Sequence, residues 1–282
     1  MKTKARRWLA AGATLGVAAV AMLGLGNQPA GTPQDLPEAS AIFDRHIEAL
    51  GGHDAVFAQK TRKIEGLYEG TPFTGTARLK VWAEAPNKLH MQIAQPLGMQ
   101  LDLYYDGEVT WQQIDGVASP VFGARRVEII EASDFYGEAN YKDRYTKVET
   151  IGTAKLGDKE YYAVKATSQF GRDRRLFFDR QTGLFSAEQS PIVIEGADGK
   201  SKTVAMEIMI SDYQAVAGTS TIYPRLQEQR IPGEAGGKVT MTFKDVQVDT
   251  GEKHDFSPPA DVAQAFRDGM EKAEATGDKH GG

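Results

Sequence analysis

Cysteine is absent from all 282 residues. That single absence excludes disulfides, thiolate catalysis, cysteine-rich metal centres and c-type haem attachment, and with them the lipidated N-terminal cysteine of a bacterial lipoprotein. Stability must come from packing, which a chain of this length can supply. Histidine is scarce and scattered: His46, His53, His90, His254 and His280 form no HExxH pattern, and none has a carboxylate at ligand spacing, so no metal is expected. No Gly-x-Ser-x-Gly elbow is present, which argues against a serine hydrolase. The glycine-rich stretch Gly233 to Gly237 sits between strand patterns rather than between a strand and a helix, so it reads as a hairpin turn and not a phosphate loop. Carboxylates are plentiful, but the sequence singles out no pair of them for glycosidase-like chemistry. Neither catalysis nor a cofactor is expected. Positive charge is also sparse beyond the extreme N-terminus, with only the short clusters Arg125-Arg126 and Arg172 to Arg175 against a net charge of −5; no nucleic-acid partner is implied.

What the chain does have begins with a leader. Lys2, Lys4, Arg6 and Arg7 precede an apolar run of 18 residues from Trp8 to Leu25, and Gly24-Leu25-Gly26 offers the small residues a signal peptidase reads. Residues 1–26 are therefore expected to be a signal peptide, placing the working protein in the periplasm. The same run is just long enough to stay as a membrane anchor, and Arg6-Arg7 also suits a twin-arginine route. Cleavage after Gly26 would remove four positive charges and no negative ones, taking the net charge from −5 to −9. Residues 27–37, with three prolines and no periodicity, read as a linker.

From there the period of the hydrophobic pattern decides. Ile42, His46, Ile47 and Leu50 fall at helical spacing before Gly51-Gly52, giving a helix over 38–50, with a short second helix over 54–59. Then Phe73, Ala77, Leu79, Val81 and Ala83, next Leu89, Met91 and Ile93, next Met99, Leu101, Leu103 and Tyr105 alternate with polar residues. A period of two predicts strands with one dry face, here over 62–70, 73–84, 87–95, 98–106 and 108–114 as an antiparallel meander. The opposite face, with Arg78, Lys80, His90, Gln92, Gln100, Asp102 and Tyr104, reads as built for water. The alternation fails near 124–141, where Arg125, Arg126, Glu128 and Glu131 between apolar residues suit a helix. Strands resume over 145–152, 160–168, 174–180, 184–189, 202–212, 219–231 and 238–248, and Val262, Phe266 and Met270 mark an amphipathic helix within the C-terminal region 261–282.

Several stretches carry a resemblance: Ile42-Phe-Asp-Arg-His-Ile-Glu-Ala-Leu-Gly-Gly52, Tyr104-Tyr-Asp-Gly107 with Trp111 after it, Phe178-Asp-Arg-Gln-Thr-Gly-Leu184, Ser211-Asp-Tyr213 before Tyr223-Pro224, and Phe243-Lys-Asp-Val-Gln-Val248 leading to Phe256-Ser-Pro-Pro259. In order and spacing they resemble the outer-membrane lipoprotein-sorting proteins of the LolA/LolB-like superfamily, over roughly residues 38–260. The resemblance implies a mainly β (α+β) fold, a strongly curved antiparallel sheet or incomplete β-barrel of about a dozen strands that encloses or is capped by a few helices. It also implies a hydrophobic cavity for acyl chains of a lipid or lipoprotein, with an inner- or outer-membrane protein as a further partner.

Two functions follow. One is a carrier whose cavity is lined by Leu79, Val81, Leu89, Met91, Ile93, Met99, Leu101, Leu103, Val204, Met206, Ile208, Met241 and Phe243; the adaptable thioethers of the methionines suit ligands of varied shape. The other is an envelope structural or interaction protein whose helices fill the sheet and leave no ligand space. An apolar cavity of roughly 300 Å³ or more would favour the first, and a filled core the second. Trp82 and Trp111 suit either core packing or a cavity rim.

Overall fold

The structure is a computed structural model that describes residues 36–276 apart from positions 74, 97, 196–200 and 233–236. The expected leader, nearly all of the linker, the tail after Thr276 and most of the Gly233–Gly237 turn lie outside the described residues.

Thirteen strands make one antiparallel sheet: β1 (Thr61–Glu69), β2 (Thr76–Glu84), β3 (Lys88–Ala94), β4 (Gln100–Tyr105), β5 (Thr110–Ile114), β6 (Val117–Pro120), β7 (Tyr145–Leu156), β8 (Lys159–Ser168), β9 (Asp173–Asp179), β10 (Phe185–Glu195), β11 (Ser201–Ala215), β12 (Ile222–Arg230) and β13 (Lys238–Val248). Their spatial order is β6-β5-β4-β3-β2-β1-β13-β12-β11-β10-β9-β8-β7. Two meanders, β1–β6 and β7–β13, are thus joined only where β1 pairs with β13. The sheet is curved and unclosed, mainly β with a few helices, as the sequence implies. One strand is additional. β6 follows the turn Asp115-Gly116, whose φ angles of 50° and 87° are those of a two-residue hairpin.

The pairing of β1 with β13 carries an irregularity between Glu65 and Gly66. There a side chain on Gly66 would place its Cβ 2.0 Å from the Thr242 carbonyl oxygen. Glycine is required for the two backbones to approach.

Among the described residues five α-helices accompany the sheet: α1 (Ala39–Ala49), α2 (His53–Ala58), α3 (Gly123–Ser133), α4 (Tyr141–Arg144) and α5 (Ala260–Thr276). Because β6 and β7 are the two edge strands, the segment that joins them must span the width of the sheet. It does so as α3, a 3₁₀ turn at Gly137–Asn140, and α4. Ile129 of α3 is buried among Leu79, Leu89, Ile93 and Leu103 on the inner face of the first meander. Phe43 of α1 and Tyr141 of α4 stack with centroids 4.4 Å apart and pack with Val164, Leu176 and Phe178 on the second. Helix α5 lies on the other face, where Val262 and Phe266 join Val109 and Trp111. No described helix is long and apolar enough to cross a membrane.

Candidate functional site on the inner face

The structure brings most of the predicted lining together. Leu79, Val81, Leu89, Ile93, Leu103, Met241 and Phe243 are buried in one apolar cluster, and Met91, Met99 and Leu101 are partly buried against it. The three β11 residues stand apart. Val204, Met206 and Ile208 are half-buried, and they pair across β10 with Ile192, Ser190 and Glu188. In the first meander Ile129 and Ile130 of α3 occupy the space above the strands.

A cavity of about 210 Å³ opens instead in the middle of the inner face, between the two meanders. Its wall is built by the end of α1 and α2 (His46, Leu50, Val56), by β1 (Arg62), by the segment Asp134 to Glu138 after α3, and by Phe185, Ile210, Tyr213, Tyr223, Pro224, Gln227 and Phe243 from β10 to β13. Of the thirteen residues predicted from alternation, Phe243 alone is in this wall. A signal for the others did exist in the sequence. His46, Tyr213, Tyr223 and Pro224 all belong to the stretches that carry the family resemblance, whereas strict alternation misses Tyr213: Ile210 and Tyr213 both face the cavity although three residues apart, and Asp212 between them has a left-handed φ of 56°.

Most polar groups of the wall have partners within the protein. His46 Nδ1 accepts the Phe185 N–H at 3.2 Å, and burial pulls the imidazole down to about 4, against a hydrogen bond to the Gly183 backbone that raises it. Tyr213 donates its hydroxyl to the Phe185 carbonyl at 2.7 Å, and Gln59 donates to Thr221 Oγ1 at 2.8 Å. Burial pushes the Tyr213 hydroxyl far above the ordinary phenol range. Arg62 donates from Nη1 to the Phe135 carbonyl at 3.1 Å, with its guanidinium 4.3 Å from the Phe135 ring centroid and 4.7 Å from that of Tyr223.

Beside the cavity lies a buried ionic network that no strand pattern announces. Glu131 of α3 accepts from Arg172 Nη1 at 3.0 Å and from Arg174 Nη2; Arg174 Nη1 donates to Glu188 at 3.1 Å. Arg144 lies 3.3 Å from Glu138 and 3.5 Å from Asp134, and the Tyr145 hydroxyl donates to Glu138 at 2.8 Å. Burial raises the Glu188 and Asp134 carboxyls despite the pull of Arg174 and Arg144. A charge cluster of this kind fixes α3 to β9 and β10, and the 134–144 segment to the start of β7, by direction as well as by apolar contact.

The arrangement of an unclosed thirteen-stranded sheet wrapped around helices decides the fold comparison. This fold matches that of a LolA superfamily protein from Nitrosomonas europaea, at TM-score 0.51 and 11% identity over 79% of this chain and 99% of that one. The fold is LolA-like. A DUF1329 family protein from Desulfovibrio piger matches at TM-score 0.51 and 13% identity, over 76% of this chain and 94% of that one. A putative outer membrane lipoprotein-sorting protein domain from Vibrio parahaemolyticus matches at TM-score 0.50 and 9% identity, over 76% and 93% of the two chains. No family model and no curated protein matches the sequence.

On its outer face the LolA-like sheet departs from the expectation of a solvated surface. Arg78 is exposed, but His90 and Asp102 are only 4% and 2% exposed, because the chain after β13 runs back over them. Asp102 accepts from His90 Nε2 at 2.8 Å, from Gln92 at 2.9 Å and from Gln100 at 2.7 Å. Against the burial that would raise it, these bonds hold the Asp102 carboxyl below its usual range. His90 Nδ1 lies 2.8 Å from His254 Nε2. Trp82 stacks on both imidazoles, at 4.8 and 4.5 Å, and Tyr104 stacks on the far side of His90 with Trp111 beyond it at 3.7 Å. So a carboxylate does stand beside a histidine, across two strands rather than within one, and both tryptophans pack outside the cavity. Among the described residues no group of three or more ligating side chains is arranged for a metal ion.

Proposed function

We propose that this protein is a non-catalytic periplasmic carrier or chaperone that binds acyl chains of a lipid or lipoprotein on the inner face of its sheet. The observation that carries the reading is the 210 Å³ cavity between the meanders, continued along β11 by the half-buried Ile208, Met206 and Val204 on the face of Ile210. The cavity takes the end of an acyl chain, and a longer chain runs out over the β11 strip. Each methylene removed from water contributes about 0.8 kcal/mol, so a 16-carbon chain gains roughly 12 kcal/mol before ordering costs reduce it. The Vibrio neighbour's description as a lipoprotein-sorting domain agrees with this reading, as does the leader that would export the chain.

One observation favours the second reading, an envelope interaction protein with a self-filled core. The cavity falls below the roughly 300 Å³ expected of a ligand pocket, and Ile129 of α3 already occupies the apolar face of the first meander. Native mass spectrometry of the full protein from its own envelope separates the two. Stoichiometric lipid or acylated peptide supports the carrier, with Ile208→Glu reducing the bound cargo at least about tenfold in a folded protein, since an anion there must be desolvated against the acyl chain; Leu101→Glu tests the β4 half in the same way. Bare protein whose melting temperature no added lipid raises would establish the interaction protein instead.

A further inference from the structure

The cavity wall contains one cation whose donors are largely unspent. Arg62 makes a single hydrogen bond, to the Phe135 carbonyl. Its Nε is buried with no partner among the described residues, and no described carboxylate lies within ion-pair distance of it. The two carboxylates of the wall are already engaged. Asp134 is met by Arg144 and by the backbone N–H groups of Tyr136 and Gly137, and Glu138 by Arg144 and the Tyr145 hydroxyl. A guanidinium carries five N–H donors and cannot lose its proton. Arg62 lines the cavity beside the apolar Leu50, Phe185, Ile210 and Phe243 and the polar Gln59, Tyr213 and Gln227.

The rings around Arg62 restrict how anything can reach it. The guanidinium carbon lies over the Phe135 and Tyr223 rings, 4.3 and 4.7 Å from their centroids, and the N–H bonds lie in the guanidinium plane. A partner must approach in the guanidinium plane, along the N–H rim, and the group that matches a planar fork with two parallel bonds is a carboxylate. Water answers an exposed arginine adequately, but in a low-dielectric recess the charge-assisted bonds gain strength.

We infer that the cavity selects monocarboxylic amphiphiles, with the fatty-acid carboxylate seated in plane on the Arg62 guanidinium and the alkyl chain packed into the apolar remainder. The inference rests on the acyl-chain reading above and deepens it by naming the head group. The size agrees: about 210 Å³ leaves room for a carboxylate and part of one alkyl chain.

The test is isothermal titration of the full protein with octanoate and with octanol at pH 7.5, which share a chain and differ in charge. Hydrogen bonds to a charged group predict octanoate binding at least about tenfold more tightly, with the difference shrinking as salt is raised. Arg62→Gln removes the preference, so that the two probes bind alike; Arg62→Lys, which keeps the charge and loses the fork, restores part of it. Equal binding of octanoate and octanol to the unmodified protein would overturn the head-group assignment while leaving the apolar cavity in place. Binding of neither would overturn both. The comparison of probes needs no variant, so it stands even if Arg62→Gln fails to fold.

Discussion

His46 makes the fold pH-sensitive in a direction that can be worked out. The side chain is 3% exposed at the end of α1, and its imidazole is held down to about 4 against an ordinary value of 6.5. The folded state therefore binds fewer protons than the unfolded chain between those two values, and stability falls as pH drops through 6.5 toward 4. At pH 7.5 the loss is negligible. With those two values the linkage relation gives about 2 kcal/mol lost at pH 5 and about 3 kcal/mol at pH 4. Structure supplies the cause twice over: burial disfavours the imidazolium, and a protonated Nδ1 can no longer accept the Phe185 N–H. The raised Glu188 and Asp134 carboxyls work in the opposite sense, so the comparison must be with a variant rather than with a net curve. His46→Asn keeps an acceptor near the Nδ1 position and does not titrate. Urea denaturation followed by tryptophan fluorescence at pH 7.5, 6.5 and 5.0 should show the unmodified protein losing about 2 kcal/mol more than the variant between the extremes, at unchanged m-value. Parallel losses in the two proteins would refute the argument, because His46 would then be protonating equally in both states.

Arg174→Met leaves Glu188 without its cation and Glu131 with Arg172 alone; breaking a buried pair from one side should cost about 3–5 kcal/mol. Adding Glu188→Gln should return a substantial part of that loss, and a double-mutant cycle by denaturation measures it; additive losses would show that the two side chains do not interact. Gly66→Ala drives a Cβ against the Thr242 carbonyl oxygen and to 3.2 Å from Phe243 Cα, both rigid backbone. Since β1–β13 is the one junction between the meanders, we expect a loss of ~3 kcal/mol or more, the upper range for overpacking, read as a lower melting temperature; a variant as stable as the parent would mean that the junction can spread.

Much of the architecture could be read in advance because each strand has to hide one face. The alternation through Leu79, Val81, Leu89, Met91 and Ile93 placed β3 within a residue of its ends and β2 within three, and the charged, non-alternating stretch 124–141 holds α3 in its first part. β6 escaped because its four residues, Val117 to Pro120, are too short to show a period, although Asp115-Gly116 announces the turn before it. The outer face was misjudged for a different reason. His90, Gln92 and Asp102 look solvated on their strands, and nothing local shows that His254 will return from 164 residues away to cover them.

The candidate site divides along the same line. Periodicity says which strand side chains face inward, but of the thirteen it named only Phe243 is in the cavity wall, because it does not say what will sit above them. Local pattern alone determined the two-faced strands, the helices that had to cover them, and the absence of cysteine chemistry. Tertiary structure decided that α3 fills the first meander, that the open space lies between the meanders, and that its wall joins His46 to Phe185 across 139 residues. It also decided that Arg174 spends its charge on Glu131 and Glu188 while Arg62 keeps its own. Burial and pairing are properties of groups brought together by strand order, and a sequence carries no local term for neighbours so distant along the chain.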